Sequence, residues 1–473
     1  MWREPYSDAT LLALRLILAV AGIIVCDSQG FAQVSLREKI GQMLMVTITG
    51  DSVESSSPSI DTAKTDLAEG LIGGVILFNW SGNLESPDQI AHFTRELQLR
   101  AHTPLLLAID QEGGRVARLK ASNGFDATPS AYDMGTTVNQ EWFTRLSASQ
   151  MATWFTATGL NMNLAPVVDV NVNPLSPAIG ALGRSFSADP DTVAAHAGWF
   201  IDEFRLSGVI TTLKHFPGHG SAIGDSHLGF TDVTATWSPM ELEPYERLLS
   251  ENAVDVIMTA HVYNAQLDSL HPATLSAATI GGLLRTQLGY NGVVVSDEMS
   301  MEAISQFYGI DQAAELAVNA GVDILLYNKN LDSTGNSLAR RITDLIERRV
   351  AEGAIPQARI EESYARIMSL KGRYLTEVPV QVVGSLPDGF RLNNYPNPFN
   401  AGTTIEYEVP VRGPVSLRIY NVLGQLVEIL LEDERPAGIE RVYWNPTRLP
   451  SGMYLCRFEF NGRSTTRSII LVK

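Results

Sequence analysis

Val209-Ile210-Thr211-Thr212-Leu213-Lys214-His215-Phe216-Pro217-Gly218-His219-Gly220 begins as an apolar run and ends as a crowd of titratable side chains. The first five residues read as a buried strand that stops at the Lys-His pair. Pro217 and the two glycines then forbid helix or strand, so the backbone must turn into a loop. That loop runs on through Ser221-Ala222-Ile223-Gly224-Asp225-Ser226-His227, which puts three histidines, a lysine and an aspartate within fourteen residues. Chains seldom crowd ionisable groups in this way for packing alone.

Short apolar runs of the same kind recur from about residue 35 to 373, at 43–48, 74–78, 104–110, 161–169, 209–215, 255–261, 292–297 and 323–327. They alternate with helix-periodic stretches at 86–101, 140–158, 190–207, 239–252, 304–320 and 337–352, several opened by a cap and a proline, as at Asp189-Pro190 and Ser238-Pro239. Strands that are apolar throughout and separated by helices imply a parallel sheet covered on its outer face. Eight such units in roughly 340 residues have the count and size of a (β/α)8 TIM-type barrel with some long loops. An open doubly wound sheet shares the alternation, but no Gly-x-Gly-x-x-Gly opens the first turn, and Gly70, Gly73 and Gly74 precede a strand instead of following one. A barrel gathers its chemistry at the strand C-termini. The polar residues sort accordingly: Asp110 ends the third strand, Asp169 the fourth, Lys214 and His215 the fifth, His261 the sixth and Asp297 the seventh.

The 473 residues exceed what one hydrophobic core usually serves, and 45% hydrophobic with 18% charged residues describes a globular chain. A net charge of −17 argues against nucleic acid as a partner, because phosphate binding needs a basic face. At the N-terminus Arg3 and Arg15, an apolar segment at 16–25 and Gly30-Phe31-Ala32 read as a signal peptide over residues 1–32, cleaved before Gln33. The segment is too short for a comfortable membrane span, so no stable span is expected in the mature chain. Cys26 leaves with the signal, since Ile24-Val25 is too bulky for a lipidation site. The mature chain then keeps only Cys456, and no intramolecular disulfide is possible.

After Arg373 the pattern changes. Residues 374–387 look like a linker, and from 388 to 473 a period of two takes over, with turn signals at Arg412-Gly413-Pro414, Ala437-Gly438, Pro450-Ser451-Gly452 and Asn461-Gly462. Short alternating strands over roughly 80 residues indicate a small all-β sandwich. Tyr407, Tyr420 and Tyr443 fall in these strands and are expected in its core.

Asp225 and His227 stand two apart, and in an extended loop they point the same way with Ser226 turned opposite. A carboxylate beside an imidazole orients it and favours its protonated form, which suits acid and then base work near neutral pH. Its alternative is a loop-stabilising hydrogen bond. Asp297 supplies the carboxylate that covalent displacement at an acetal carbon needs; its alternative is a helix cap before residues 298–304, a task open equally to Ser296 or Ser300.

Three segments together carry a resemblance: Lys214 to Gly220 with Asp225-Ser226-His227, Ile109-Asp110-Gln111-Glu112-Gly113-Gly114-Arg115-Val116-Ala117-Arg118, and Val295-Ser296-Asp297-Glu298-Met299-Ser300-Met301. Over about residues 35–373 the chain resembles glycoside hydrolase family 3, and more narrowly its β-N-acetylhexosaminidase branch. The resemblance implies Asp297 as catalytic nucleophile and His227 with Asp225 as the acid/base dyad. It implies that Asp110, Arg118, Arg184, Lys214 and His215 bind the non-reducing sugar, in a retaining hydrolysis that uses no metal or other cofactor. The sequence departs from the pattern at Ser221-Ala222, where an acidic-hydroxyl pair is usual, and at Glu298-Met299, where Asp-Leu is common. The C-terminal unit resembles the sorting domain of type IX secretion cargo through Asn394-Tyr395-Pro396-Asn397-Pro398-Phe399-Asn400, Ile419-Tyr420-Asn421-Val422-Leu423-Gly424-Gln425 and Ser451-Gly452-Met453-Tyr454. That implies the type IX machinery as partner and export through periplasm and outer membrane; the alternative is a carbohydrate-binding accessory, which clustered surface aromatics would favour.

Three rivals remain for the barrel. His215, His219, His227, His261 and Asp297 could ligate a metal, although the first strand lacks the His-x-His of metal-dependent barrels. A non-catalytic sugar-binding protein would share the fold. A phosphorylase would use the same site, since a histidine acid tolerates an approaching phosphate better than a carboxylate does. Asp169 to Asn173 opens like a calcium loop, but Pro174 stands where glycine is required.

Overall fold

A computed structural model describes residues 34–375 except 227, and 392–471 except 398, 410, 422–425 and 461–462. The expected signal peptide and most of the expected linker lie outside the described residues. The chain divides into two compact units between Tyr374 and Leu375.

The first unit is a closed parallel barrel whose strands are β1 (Leu44–Val46), β2 (Gly74–Ile76), β3 (Leu106–Ile109), β4 (Met162–Asn163), β5 (Ile210–Phe216), β6 (Val256–Thr259), β7 (Val293–Glu298) and β8 (Ile324–Tyr327). They follow one another around the barrel in sequence order, and β1 closes it by pairing with both β2 and β8. All eight expected strands are present. The longest is β5, buried at each of its seven residues.

Helices cover the outside, and their starts are written in the sequence. Ser57 before Pro58–Ala68, Ser86 before Pro87–Arg100 and Asp189 before Pro190–Leu206 each accept amide hydrogens of the first turn, while proline fills a position that needs no donor. Two helices differ from expectation. The stretch at 239–252 is a tight turn, Pro239–Leu242, followed by a helix only at Glu243–Ser250, and Ser238 makes no side-chain cap. The stretch at 304–320 breaks into one turn at Glu302–Ser305 and a helix at Ile310–Ala320, because Gly309 is extended between them. The fourth strand is also shorter than its apolar run. Pro166 has no amide to give the ladder, and beyond Asn163 pairing resumes only as a single bridge, Val167 with Lys214.

The end of the barrel remote from the strand C-termini is tied by ions. Asp323, fully buried just before β8, accepts from Arg285 at 2.7 Å, Arg366 at 3.2 Å, Ser363 Oγ at 2.8 Å and the Val294 amide at 2.9 Å, and pairs with Arg359. Arg359, Ser363 and Arg366 belong to the last helix, Gln357–Tyr374, so this carboxylate fastens that helix across the barrel floor.

The second unit is a sandwich of antiparallel sheets. One has three strands, β9 (Leu392–Tyr395), β10 (Thr403–Val409) and β13 (Gly438–Trp444); the other has four, β11 (Gly413–Asn421), β12 (Leu426–Arg435), β14 (Gly452–Phe460) and β15 (Arg463–Leu471). Ile405, Tyr407 and Val409 from the first and Leu417, Ile419 and Phe458 from the second share one core. Tyr407 is buried as expected and Tyr420 half-buried, but Tyr443 is 66% exposed. The parity of β13 explains the correction: Trp444 faces the core, so Tyr443 before it faces out, opposite Thr404, which in turn pairs with the exposed Tyr395.

Replacing Asp323 with alanine leaves three guanidinium groups around an empty buried position. We expect a loss of about 3–5 kcal/mol of stability in urea unfolding, with the folded fraction keeping its activity.

Candidate active site

The C-terminal ends of the strands surround a cavity of about 460 Å³. It is lined by Asp110, Glu112 and Arg118 from the loop after β3, Arg184 from the segment after β4, Lys214 and His215 of β5, Asp297 and Glu298 of β7, and Asn328 after β8. Phe78 and Trp80, after β2, form an apolar wall: their rings stack at 5.4 Å, and the Arg118 guanidinium sits 5.3 Å from the centre of the Phe78 ring. Of the residues expected from the strand ends, Asp110, Lys214, His215 and Asp297 therefore meet at one place, whereas Asp169 and His261 do not line it.

Charge is alternated through the polar wall. Lys214 Nζ donates to Asp110 at 2.8 Å and stands 2.7 Å from Glu112. Arg118 donates to the other oxygen of Asp110 at 2.9 Å, and Arg184 grips Glu112 with two bonds of 2.8 Å. Burial pushes both carboxyls up, but the cations outweigh it: Lys214 and Arg118 hold Asp110 down at about 2, and Arg184 and Lys214 hold Glu112 at about 2. Both acids stay ionised at any ordinary pH, and the Arg184 guanidinium is pushed further up. The wall offers a polar ligand fixed acceptors and fixed donors.

His215 is set by its neighbours. Its Nδ1 lies 2.7 Å from Asp169 Oδ2, and Arg184 Nη2 lies 3.2 Å from its Nε2. Arginine only donates, so Nε2 accepts and the proton sits on Nδ1, facing Asp169. Burial pushes the Asp169 carboxyl up; the facing His215 ring and the amides it accepts more than offset this and leave it below its usual range. Asp169 Oδ1 accepts the backbone amides of His215 at 3.2 Å and His219 at 2.8 Å, so one buried carboxylate holds both ends of the Lys214–Gly220 turn.

Glu241 supports the same turn from the other side. It accepts the amides of Gly220 at 2.9 Å and Ser221 at 3.3 Å. The glycines are required here: a Cβ on Gly220 would stand 1.8 Å from the Val170 carbonyl oxygen, and Gly218, at φ +123°, has Glu241 Cβ within 2.6 Å of where its own would be. Burial pushes the Glu241 carboxyl up to about 7.

Asp225 is half-buried on the loop that follows. The Leu228 amide bonds the Asp225 carbonyl at 3.0 Å. His227 itself lies outside the described residues. Asp297 is the fifth residue of β7 and accepts the Glu298 amide at 2.8 Å; the next helical turn is capped at Met301 without a side chain, so Asp297 is not a helix cap. Glu298 accepts the amides of Ser300 and Asn328. His261, beyond β6, is buried, with its ring nitrogens 2.8 Å from Thr274 Oγ1 and 2.9 Å from the Glu298 carbonyl. Among the described residues no three of His, Cys, Asp and Glu are grouped to hold a metal ion.

Sequence reasoning placed Asp110 and Lys214 but passed over Glu112, the anchoring work of Asp169, and Glu241. Glu112 was signalled only by standing two residues from Asp110 on a short strand. Asp169 was read only as the end of the fourth strand, and Glu241 lies in a stretch read as plain helix.

Comparison with known proteins agrees with this geometry. Residues 35–370 match the Glycosyl hydrolase family 3 N terminal domain, and 393–473 the Secretion system C-terminal sorting domain. The Beta-hexosaminidase of Haemophilus influenzae is 32% identical over 70% of this chain and 97% of its own length. Beta-hexosaminidase A of Pseudoalteromonas piscicida is 34% identical over 72% of this chain, which spans 62% of that relative. Among solved structures, the family 3 β-N-acetylglucosaminidase of Paenibacillus sp. FPU-7 superposes with a TM-score of 0.66 at 36% identity, over 72% of this chain and 63% of its own. The β-N-acetylhexosaminidase of Beutenbergia cavernae gives 0.64 at 29% identity, over 72% and 99%. The chain belongs to glycoside hydrolase family 3. It ends in a secretion sorting domain, which marks it for export, and among the described residues no helix is long and apolar enough to cross a membrane.

Because the folded chain holds the Glu241 proton more tightly than the unfolded one, this group's contribution to stability is complete below its ordinary value of 4.5 and lost as pH rises through about 7. Glu241→Gln should remove that loss. The stability of the variant relative to wild type should improve between pH 5 and 8, by up to about 3 kcal/mol, in denaturant titrations at each pH.

Proposed function

We propose that the chain is an exported, retaining exo-β-N-acetylglucosaminidase, releasing terminal β-linked N-acetylglucosamine from peptidoglycan fragments or chito-oligosaccharides. The observation that carries the reading is the single cavity in which the Asp297 carboxylate shares walls with Asp110, Arg118, Arg184, Lys214 and His215. The names of the hexosaminidase relatives support the choice of sugar.

In the first half-reaction the Asp297 carboxylate attacks C1 of the sugar, the C1–oxygen bond breaks, and the departing oxygen takes a proton from the His227 imidazolium. Asp225 orients that imidazole and favours its charged form. In the second half water attacks C1 of the glycosyl-enzyme, His227 takes the water's proton, and Asp297 is released. Asp110 accepts hydrogen bonds from the sugar's hydroxyls while Arg118, Arg184 and Lys214 donate to it, and His215 completes the wall. No metal or cofactor enters these steps.

The division of labour along the chain is proposed as signal peptide 1–32, catalytic barrel 33–373, linker 374–387 and sorting domain 388–473. The break between Tyr374 and Leu375 and the two family matches support it. The type IX secretion machinery is the proposed partner of the last domain, delivering the enzyme to the cell surface or beyond.

Asp297→Ala should lower kcat on the order of 10⁴-fold or more. His227→Ala should cost roughly 10²–10⁴-fold on a disaccharide substrate but under about 10-fold on an activated aryl N-acetylglucosaminide, whose leaving group needs no proton. Equal losses on both substrates would remove His227 as the acid. A panel of aryl N-acetylglucosaminide, glucoside and xyloside checks the sugar. Assays with added phosphate check the reaction, since a sugar 1-phosphate product would make it a phosphorylase.

A further inference from the structure

The cavity has one wall that its polar residues do not explain. Trp80 is 62% exposed, yet it lines the same space as Asp110, Arg118 and Lys214. A lone exposed indole asks for no account: Trp142, on the helix Glu141–Thr158, is 60% exposed and takes no part in the cavity lining. Trp80 differs because it continues a built surface. Its ring stacks on Phe78 at 5.4 Å and 22°, and Phe78 lies 5.3 Å from the Arg118 guanidinium, which holds Asp110. The Asp110 side chain is 15% exposed and that of Arg118 24%, so the wall opens outward and the indole stands at its lip.

The turn that carries the indole is fixed on several sides. Asn79 Nδ2 donates to the Arg118 carbonyl at 3.0 Å, Ser81 Oγ to the Phe78 carbonyl at 2.7 Å, and the Gly50 amide to the Ser81 carbonyl at 2.8 Å. Asn83, fully buried, accepts the Phe78 amide at 3.1 Å and donates to the Ile48 carbonyl at 2.7 Å. Gly82, at φ +76°, ends the turn. None of these bonds uses the indole; they hold the backbone beneath it. The ring is presented to solvent on a rigid base, and little freedom is lost when a ligand lies on it.

A pyranose with equatorial substituents is polar at its edge and apolar on its faces, where C–H groups carry a slight positive charge. An aromatic face carries the opposite sign. Edge hydroxyls suit the wall of Asp110, Arg118 and Lys214, and a ring face suits the indole. We propose that Trp80 is the platform on which a pyranose ring of the substrate stacks at the cavity mouth, and that it sets the affinity for saccharides. The ring is either the terminal sugar or the one joined to it, since both offer the same face. The proposal rests on the glycosidase reading given above.

The test uses the full chain, an N-acetylglucosamine disaccharide, methyl N-acetylglucosaminide, which has no second ring, and free N-acetylglucosamine as inhibitor. Trp80→Ala should lower kcat/KM for the disaccharide about 10-fold, chiefly through KM, and Trp80→Phe, which keeps an aromatic face, should recover most of that loss. In the Asp297→Ala background the disaccharide should shift the tryptophan fluorescence, and adding Trp80→Phe should remove most of the shift. Equal losses with the methyl glycoside and the free sugar place the terminal ring on the indole; a loss confined to the disaccharide places its neighbour there. A folded Trp80→Ala enzyme with the wild-type disaccharide KM, or a Trp80→Phe enzyme as poor as Trp80→Ala, overturns the platform and leaves the glycosidase reading standing on Asp297→Ala. A wild-type chain that cleaves neither saccharide ends the reading and the platform together.

Discussion

A single ammonium group, Lys214 Nζ, sits between Asp110 and Glu112 at the centre of the barrel mouth, and the arrangement of the site follows from it. Two carboxylates facing each other in a buried place would repel and one would take up a proton. With the lysine between them, and an arginine behind each, both remain charged and both remain where they are. The cost of burying five charges is met only because each has a partner at hydrogen-bond distance, so removing any one member should disturb its neighbours more than the bare contact suggests. The same lysine stands on the one barrel strand buried at seven consecutive residues, which is what allows so polar a side chain to be held so firmly.

A second tier of carboxylates supports the first. Asp169 and Glu241 do not line the cavity; they hold the end of β5 and the turn after it, and between them they accept four amide hydrogens. They differ in charge behaviour because they differ in partners. Asp169 faces a histidine ring and is held low; Glu241 meets only amides and the Ser221 side chain and is pushed high.

The barrel was legible because its strands fall in short, mostly apolar runs, and because one face of the fold collects the polar residues that end such runs. Strand lengths were not, since Pro166 interrupts pairing without interrupting hydrophobicity. Gly309 was the sign that the helix after β7 is split, and it was outweighed by the periodicity on either side. In the site, residues that end strands declared themselves, whereas Glu241 reaches the turn from a separate segment some twenty positions on, which no local pattern records. Tyr443 was assigned to the core from its strand alone; counting outward from Trp444 gives the opposite face.

Cys456 offers one more consequence. It is the only cysteine among the described residues, 1% exposed in the sandwich core, and burial raises its thiol to about 12. Such a sulfur has almost no thiolate at neutral pH and no path to an alkylating reagent while the sheets are closed. Its modification rate therefore clocks the opening of the C-terminal domain alone, blind to whatever the barrel does. For a chain that must travel before it works, that is a natural gauge of whether the address label is still folded when it arrives.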